Sequence, residues 1–278
     1  MDTRVAYVAL ATVHANYQQA VTEGPTSLLD AMPRAEQRDL VTLARLNINR
    51  AAEFGARVIV PGDEDWPTDI AHLNPDAPLA LWAIGRTPLR SVLARTIAVI
   101  GSRNSTQYGV HLAQQMGYEL ADGTSQYTVF NGCGYGIEGA AIRGALTAHG
   151  RTPPLVVTAS GVDIHSSVNT DLIRLVAGEG LLLTAAAPGT PPSRRQHLRR
   201  NQILAALAQA VVVVESTNDS DHLRTAVEAA RLGRPVMALP GPVTSLQSVG
   251  THRLIQEGAA RLVAGSRDVV NHLAHLNR

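Results

Sequence analysis

From about residue 96 onward, seven short apolar runs alternate with stretches that are mostly long enough to form helices. Several of the runs are rich in β-branched residues, as buried strands of a parallel sheet are, because helices cover both faces of such a sheet. Right-handed crossovers between the first six runs predict a doubly wound, mostly parallel, Rossmann-like α/β fold. The runs are residues 97–100, 127–130, 155–158, 181–184, 211–214, 236–239 and 261–263.

The residues before this alternation have a different pattern. Apolar positions such as Leu40, Ala44 and Leu46 recur at helical spacing, and a strand-like run follows at residues 57–60. Residues 61–88 carry five prolines, which favour a loop-rich connector over a helix. We therefore predict a small helical N-terminal region over residues 1–55 and a Rossmann-like domain over residues 56–278.

The first residues lack a basic segment and a cleavage site, so they predict a helix rather than a signal peptide. The longest nearly apolar run, residues 203–214, is too short to span a bilayer and contains Gln209. Cys133 is the single cysteine, which excludes an intrachain disulfide and a cysteine-rich zinc site. These features predict a cytoplasmic protein with no metal, no cofactor and no membrane contact.

All 24 basic residues are arginines, and the formal net charge is +1. Without lysine, the chain has neither a lysine Schiff base nor a Walker A lysine. A nucleic-acid surface therefore requires local clustering of arginines, whose guanidinium groups suit bidentate phosphate contacts and stacking on bases.

Ligands of open α/β sheets bind at the carboxyl ends of the strands, so the residues that follow each strand are the first candidates for a site. The first predicted strand is followed by Gly101, Ser102 and Arg103, and then by Tyr108 at the start of a helical stretch. Glycine permits a sharp turn, and Ser or Asn side chains can cap the helix. We expect the free amides at this helix start to bind a phosphate, with Arg103 closing over it. The alternative is an ordinary turn with a surface arginine.

The second predicted strand is followed by Asn131 and a glycine-rich loop that includes Gly132 and Gly134. The spacing of the glycines matches a dinucleotide-binding motif only in part, and no acidic residue ends the next strand. The loop favours a phosphate or nucleotide cradle, and a tight turn without a ligand remains open.

The densest positive cluster lies at a predicted loop-to-helix junction and contains Arg194, Arg195, Arg199 and Arg200, next to Asn201. Phosphate contacts from such a cluster would make binding sensitive to salt. The alternative is a solvated basic turn.

Further candidates follow the remaining strands. Glu215 is a ribose ligand, a general base or a helix cap, and Gly250 with Thr251 begins a helix that could bind an anion. Asp163 and His165 form a pair that we interpret as structural. Tyr108 and Tyr135 lie in candidate loops, where each could stack on one base.

These residues, taken in order, resemble the DNA-processing protein A (DprA/Smf) family. The resemblance is strongest from residue 97 onward and rests on five or more ordered motifs. The motifs stand at residues 97–103 with 108–109, 131–142, 161–169, 197–204, 211–215, 233–242 and 250–258.

The resemblance implies single-stranded DNA binding without catalysis, a homodimer formed through the Rossmann-like domain, and loading of a RecA-type recombinase during DNA processing, recombination and natural transformation. The C-terminal winged helix seen in some members is not expected here. The resemblance assigns a phosphate to Arg103. Backbone or polar contacts come from Gly101, Ser102, Asn131 and Gly132. Arg200 and Asn201 would flank the same groove.

The chain departs from the family pattern at several positions. Tyr135 stands where the family has Arg, Glu138 replaces Asp, Ile142 replaces His, and Gln202 replaces a second Arg. Residues 218–222 replace a turn of small residues. Two positive charges are thereby absent, which puts DNA affinity and recombinase loading in question.

Two other functions remain open from the residues alone. One is an enzyme that acts on nucleotides and resembles the LOG-type phosphoribohydrolases, with Glu215 as a catalytic group, although their PGGxGTxxE signature is missing. The other is a nucleotide-sensing or protein-interaction module.

Overall fold

The seven predicted strands are confirmed, and they form one sheet with two further strands. The computed structural model describes residues 1–164 and 168–276. Within these ranges the strand order is β1-β2-β6-β5-β4-β3-β7-β8-β9. The strands are β1 (Ala56–Ile59), β2 (Leu81–Ile84), β3 (Thr96–Ile100), β4 (Thr128–Asn131), β5 (Leu155–Val157), β6 (Leu181–Thr184), β7 (Ala210–Val213), β8 (Val236–Ala238) and β9 (Arg261–Leu262).

Strands β3 to β9 pair in parallel, whereas β1 and β2 add an antiparallel edge next to β6. The chain order reverses at β3, which pairs with β4 on one side and with β7 on the other. This arrangement is the doubly wound, mostly parallel sheet that the alternating pattern predicts.

Helices cover both faces of the sheet. They are α1 (Thr3–Thr12), α2 (Tyr17–Glu23), α3 (Pro25–Asp30), α4 (Arg34–Glu53), α5 (Leu89–Leu93), α6 (Gln107–Ala121), α7 (Ile137–Thr147), α8 (Thr170–Glu179), α9 (Arg194–Leu207), α10 (Asp221–Arg231), α11 (Val249–Gln256) and α12 (Ser266–Leu276). Short 3-10 helices span Thr68–Leu73 and Leu246–Ser248.

Strand β3 shows why the apolar runs are continuous. Ala98 and Ile100 belong to an apolar cluster on one face of the sheet, and Ile97 and Val99 belong to a cluster on the other face. Because successive side chains of a strand point to opposite faces, a strand covered on both sides needs an apolar residue at every position.

The N-terminal residues are helical, as predicted, and α1 packs into the first of these clusters through Val5–Leu10. Further contacts join the N-terminal residues to the connector and the sheet. The indole Nε1 of Trp66 donates to Tyr17 Oη at 3.3 Å, and Arg50 Nε pairs with Asp163 Oδ2 at 2.6 Å. The division into regions 1–55 and 56–278 stays a prediction.

The expected loop-rich connector contains a strand that the sequence analysis missed. Strand β2 lies between prolines and has few β-branched residues, so its pattern does not distinguish it from a loop. Trp82 is nevertheless 2% exposed, and β2 pairs with both β1 and β6. Tertiary pairing rather than intrinsic propensity determines the strand.

Candidate nucleic-acid interface

A cavity of about 310 Å³ opens at the carboxyl ends of β3, β4 and β5, against the first turns of α9. We call it the glycine-lined cavity. Each of the three strands contributes the loop that follows it, as the doubly wound topology requires. The lining side chains and loops include Arg103, Gly132, Gly134, Tyr135, Thr158, Ser160, Pro192, His197 and Arg200.

Arg200 is the buried cation of this cavity, with 6% of its surface exposed. Its guanidinium lies against Gly132, so that a side chain at residue 132 would overlap it. Arg200 Nε and Nη2 donate to Asn201 Oδ1 at 3.1 and 2.8 Å. Asn201 therefore orients Arg200, and Gly132 provides the space that the guanidinium occupies.

Glu138 lies near this arginine and is 1% exposed. Its Oε2 accepts the amide of Gly134 at 2.8 Å, and its Oε1 is 3.5 Å from His222 Nδ1. Burial alone raises the pKa of the Glu138 carboxyl, but the positive charge of Arg200, together with His222 and the Gly134 amide, holds that pKa below its usual value. Burial lowers the pKa of His222. We therefore assign an ionised Glu138, a neutral His222 and a charged Arg200.

Arg103 and His197 complete the positive wall of the cavity. Arg103 is exposed, and among the described residues it forms no ion pair with a carboxylate. Burial, Arg200 and Arg103 lower the pKa of His197, whose Nδ1 is buried without a hydrogen-bond partner. The two arginines give this wall of the cavity a positive charge, which favours an anion.

The two ligand-facing loops are held against each other by backbone contacts. The amide of Ile137 donates to Ser102 O at 3.2 Å, and the amide of Ser102 donates to Glu215 O at 2.8 Å. Gly136 has φ +72° and packs on Ser102 O, where a side chain would collide. Asn169 Nδ2 donates to Cys133 O and Gly134 O at 3.0 and 2.9 Å, fixing the glycine-rich loop from α8.

Two amides at the start of α6, those of Thr106 and Gly109, donate to side chains of the protein itself. Thr106, rather than Ser or Asn, is the N-cap residue, and its Oγ1 accepts the Gly109 amide at 3.1 Å. Glu215 Oε2 accepts the Thr106 amide at 2.9 Å, and Glu215 Oε1 accepts Thr106 Oγ1 at 2.5 Å. A buried carboxylate thus occupies the position of the expected anion.

The same contacts decide between the three roles considered for Glu215. Its carboxylate is 2% exposed and is bonded to the residue that caps α6. A general base or a ribose ligand needs an accessible oxygen. Of the three roles, Glu215 therefore fits that of a helix cap, at the start of α6.

The side chain of Asn131 is hydrogen-bonded within the protein and does not line the cavity. Its Nδ2 donates to Val99 O at 3.0 Å and to Glu138 O at 3.1 Å, and its Oδ1 accepts the Cys133 amide at 2.8 Å. All its strong hydrogen-bonding groups are engaged, and it is fully buried. It supports the glycine-rich loop without facing a ligand.

Four further predicted site residues do not line the cavity, namely Gly101, Tyr108, Gly250 and Thr251. The amide of Gly250 donates to Ser216 O at 2.7 Å, and Thr251 Oγ1 donates to Ser248 O at 3.0 Å, so the start of α11 is already bonded. Tyr108 Oη donates to Pro240 O at 3.3 Å. Gly101 is buried in the turn behind Arg103 and does not line the cavity.

The arginine cluster is divided by the helix that carries it. Arg200 lines the glycine-lined cavity, whereas Arg195 and Arg199 line a different cavity on another face of α9. Arg194 is exposed and lines neither. Adjacent residues of a helix diverge by about 100°, because a turn has about 3.6 residues.

Asp163 holds the loop after β5, because its Oδ1 accepts the Gly189 amide at 2.7 Å and its Oδ2 pairs with Arg50. Its predicted companion, His165, lies outside the described residues. Across residues 1–164 and 168–276, no group of three or more His, Cys, Asp or Glu side chains is placed to hold a metal ion. No helix in those ranges has the length and hydropathy needed to cross a membrane.

Comparison with known proteins decides the family. The family model for DNA recombination-mediator protein A matches residues 57–274. The chain belongs to this family. A putative DNA processing protein DprA from Mycobacterium tuberculosis H37Rv is 38% identical over 274 residues, covering 91% of this chain and 69% of the relative. DprA from Streptococcus pneumoniae R6 is 32% identical over 209 residues, covering 75% and 71%.

Solved DprA structures have the same fold. The X-ray structure of DprA from S. pneumoniae superposes with a TM-score of 0.74 at 25% identity, covering 96% of this chain and 94% of that one. DprA from Helicobacter pylori, described for its single-stranded DNA binding mode, gives a TM-score of 0.69 at 23% identity, covering 81% and 98%.

The positions where this DprA-family chain departs from the family pattern have different environments. Tyr135 lines the glycine-lined cavity and is 51% exposed, while Gln202 lines the second cavity on α9. Ile142 is fully buried in the apolar cluster of α6 and α7. His222, in the altered turn 218–222, contacts Glu138, a pairing that no local sequence pattern revealed.

Proposed function

We propose that this chain is a non-catalytic protein of DNA processing that binds the sugar–phosphate backbone of single-stranded DNA in the glycine-lined cavity. One observation carries the proposal: Arg103 and Arg200 line the same cavity. Guanidinium groups suit phosphate oxygens. The relatives' DNA-processing names agree with this chemistry.

The arrangement favours binding over chemistry. Glu215 is bonded to Thr106, and Cys133 is buried with its thiol pKa raised to about 12 by that burial. Neither side chain is placed to act as a base or a nucleophile. These contacts argue against the phosphoribohydrolase alternative.

Within this proposal Arg103 and Arg200 hold phosphates, Gly132 leaves room for the Arg200 guanidinium, and Gly134 lines the cavity that the strand enters. Asn201 orients Arg200, whereas Gly101, Ser102 and Asn131 shape the loops. Tyr135 offers its ring to one base. Contacts of this kind position a strand without reading its sequence, so we propose binding that is independent of sequence.

The test is fluorescence anisotropy with labelled oligo-dT and a matching duplex over a salt titration, on the parent and on Arg103→Gln. Arg103 is exposed, so its substitution leaves the core intact. We expect tighter binding of the single strand, and a salt slope that falls by about 0.7 in the variant. Arg267→Gln, exposed on α12, is the charge-matched control. Equal affinity of parent and Arg103→Gln would exclude the glycine-lined cavity.

The cellular location, the oligomeric state and the protein partner are also proposals, and they follow from the family. We propose that the protein acts in the cytoplasm, forms a homodimer through the Rossmann-like domain and loads a RecA-type recombinase. Light scattering after gel filtration tests the dimer. Recombinase filament formation on oligo-dT coated with a single-strand-binding protein, with and without this chain, tests loading.

A further inference from the structure

A second cavity, of about 270 Å³, lies between the end of α1, residues 75–79 of the connector, and α9. We call it the α1/α9 cleft. It adjoins a further hollow of about 210 Å³, because Ala11, His14 and Arg199 line both. Its α1 wall, with His14, precedes the matched residues 57–274, whereas its α9 wall lies within them.

The cleft contains cations that the fold does not neutralise. Arg195 and Arg199 stand four residues apart, on one face of α9. Neither forms an ion pair with a carboxylate in residues 1–164 or 168–276, and Arg199 Nε is buried there without a hydrogen-bond partner. A buried donor without an acceptor is costly, so an anion that accepts from this nitrogen would be stabilised there.

Asp76 is the one carboxylate among the described residues that line the cleft, and it is exposed. Arg195, Arg199 and Asp76 together carry a net charge of +1 when His14 is neutral. The cleft therefore retains a positive potential suited to an anion.

His14 adds a third group at the mouth of the cleft. Its φ is +52°, in the left-handed region, directly after α1. This conformation ends the helix, and the His14 amide donates to Ala11 O at 3.3 Å. Burial, followed by the charges of Arg195 and Arg199, lowers the pKa of the imidazole.

We propose that the α1/α9 cleft is a second phosphate-binding subsite, in which Arg195, Arg199 and His14 hold a phosphate of the same DNA strand that enters the glycine-lined cavity. The inference rests on the proposed function. Arg199 and Arg200 are consecutive, with Cα atoms about 3.8 Å apart, yet they face the two cavities. A strand that crosses the start of α9 reaches both. Once one phosphate is held in the first cavity, the next phosphates are presented to the cleft at high effective concentration.

The experiment compares short and long oligo-dT, of about 4 and about 16 nucleotides, a range typical of single-strand sites. Anisotropy titrations over salt are made with the parent, Arg199→Gln, Arg195→Gln and the control Arg267→Gln. We expect the two cleft variants to bind the short strand as the parent does. They should bind the long strand several-fold more weakly, with a salt slope reduced by about 0.7 for each phosphate that the variant no longer neutralises.

Asp76→Asn tests the same subsite in the opposite direction, because it removes the one negative charge from the lining. It should tighten binding of the long strand alone. Asp76 is exposed, and its substitution removes no cation. A misfolded protein would bind DNA more weakly, so misfolding cannot produce the expected tighter binding.

A measurement on the parent needs no substitution at an arginine. The His14 imidazole resonance, assigned with His14→Gln, is titrated against pH with either oligonucleotide. An anion in the cleft raises the pKa of His14, so the long strand should raise it and the short strand should not.

The outcomes separate this inference from the proposed function. If Arg103→Gln weakens both lengths and the cleft variants weaken only the long one, the subsite is supported. Cleft variants that weaken both lengths equally, or neither, overturn the subsite, as does a His14 pKa that the long strand leaves unchanged. A His14 pKa that the long strand leaves unchanged would favour an acidic protein segment, rather than DNA, as the ligand of the α1/α9 cleft. An Arg103→Gln protein that binds both lengths as the parent does overturns the proposed function instead.

Discussion

The guanidinium of Arg200 fills the space beside Gly132 that a side chain would need. The two residues come from different elements, the loop after β4 and helix α9, and each determines what the other position tolerates. The pair joins the glycine-rich loop to the arginine cluster, two features that the sequence displays separately.

Gly132→Ala is therefore expected to displace Arg200 and weaken binding of oligo-dT about tenfold, since a charge-assisted hydrogen bond contributes about 1.5 kcal/mol or more. Anisotropy titration measures the loss. Gly178→Ala on α8 is the matched control, because a β-carbon there meets no atom within 4 Å. The control should bind as the parent does and be no less stable. Parent-like binding by Gly132→Ala would show that Arg200 does not hold the strand.

Arg200 and Glu138 should be coupled energetically, since the arginine lowers the pKa of that buried carboxyl. Arg200→Gln leaves Glu138 without its main positive neighbour and should cost about 1–3 kcal/mol of unfolding free energy. Adding Glu138→Gln should recover part of the loss, with a coupling energy of about 0.5–3 kcal/mol. Urea unfolding of the four proteins in the cycle measures this. Strictly additive losses would contradict the coupling.

The stability of the protein should fall on mild acidification. Burial lowers the pKa of His222 from 6.5, so the unfolded chain binds a proton before the folded one. The contribution is complete above pH 6.5 and is lost as the pH falls through 6.5 toward the folded value. The groups facing His222 are Glu138, Arg200, Arg103 and Asp221.

His222→Asn should accordingly flatten the loss of stability just below pH 6.5, as measured by urea midpoints across that range. His197 has a pKa shifted in the same direction, so the slope should shrink without vanishing. An unchanged slope in His222→Asn would assign the acid sensitivity to other groups.

Thr106→Ala tests the structural role of Glu215. Loss of an N-cap side chain typically costs about 1 kcal/mol, and here it also removes a hydrogen bond to Glu215. Thr106→Ala and Glu215→Gln should each lower the thermal midpoint, and the double variant should lose less than the sum. Measured additivity would mean that the two side chains act separately.

Tyr135→Arg and Gln202→Arg restore the arginines of the family pattern in two different cavities. Tyr135→Arg should tighten binding of both short and long oligo-dT, with a salt slope steeper by about 0.7. Gln202→Arg should tighten only the long strand, because residue 202 lines the α1/α9 cleft. If the affinities of the two variants depended on strand length in the same way, the two cavities would not be separate binding sites.

The sequence predicted the parallel strands well because each is covered on both faces and therefore apolar throughout. It failed at β2, where prolines mask a strand that its neighbours impose. Among the predicted site residues, Arg103, Gly132 and Arg200 line one cavity, whereas Asn131 and the Gly250 amide are bonded within the fold. The sequence does not separate these two cases, because a polar side chain or an amide after a strand looks the same whether it faces a ligand or a neighbouring loop.

The roles of His14 and His222 were not predictable from local patterns. Their partners are Arg195 and Glu138, which lie far away along the chain, and only the packing of α1 and α10 brings them together. Long-range pairs of this kind need the three-dimensional structure.

The position of Arg199 and Arg200 on two sides of α9 makes this helix sensitive to its reading frame. Inserting one residue between the start of α9 and Arg199 would rotate Arg199 by about 100° relative to the preceding turn, into the direction that Arg200 now takes, and would remove it from the α1/α9 cleft. A change of length in that part of the helix therefore alters both cavities, unless it adds whole pairs of turns. Homologues that keep both arginines should keep a constant spacing from Pro192.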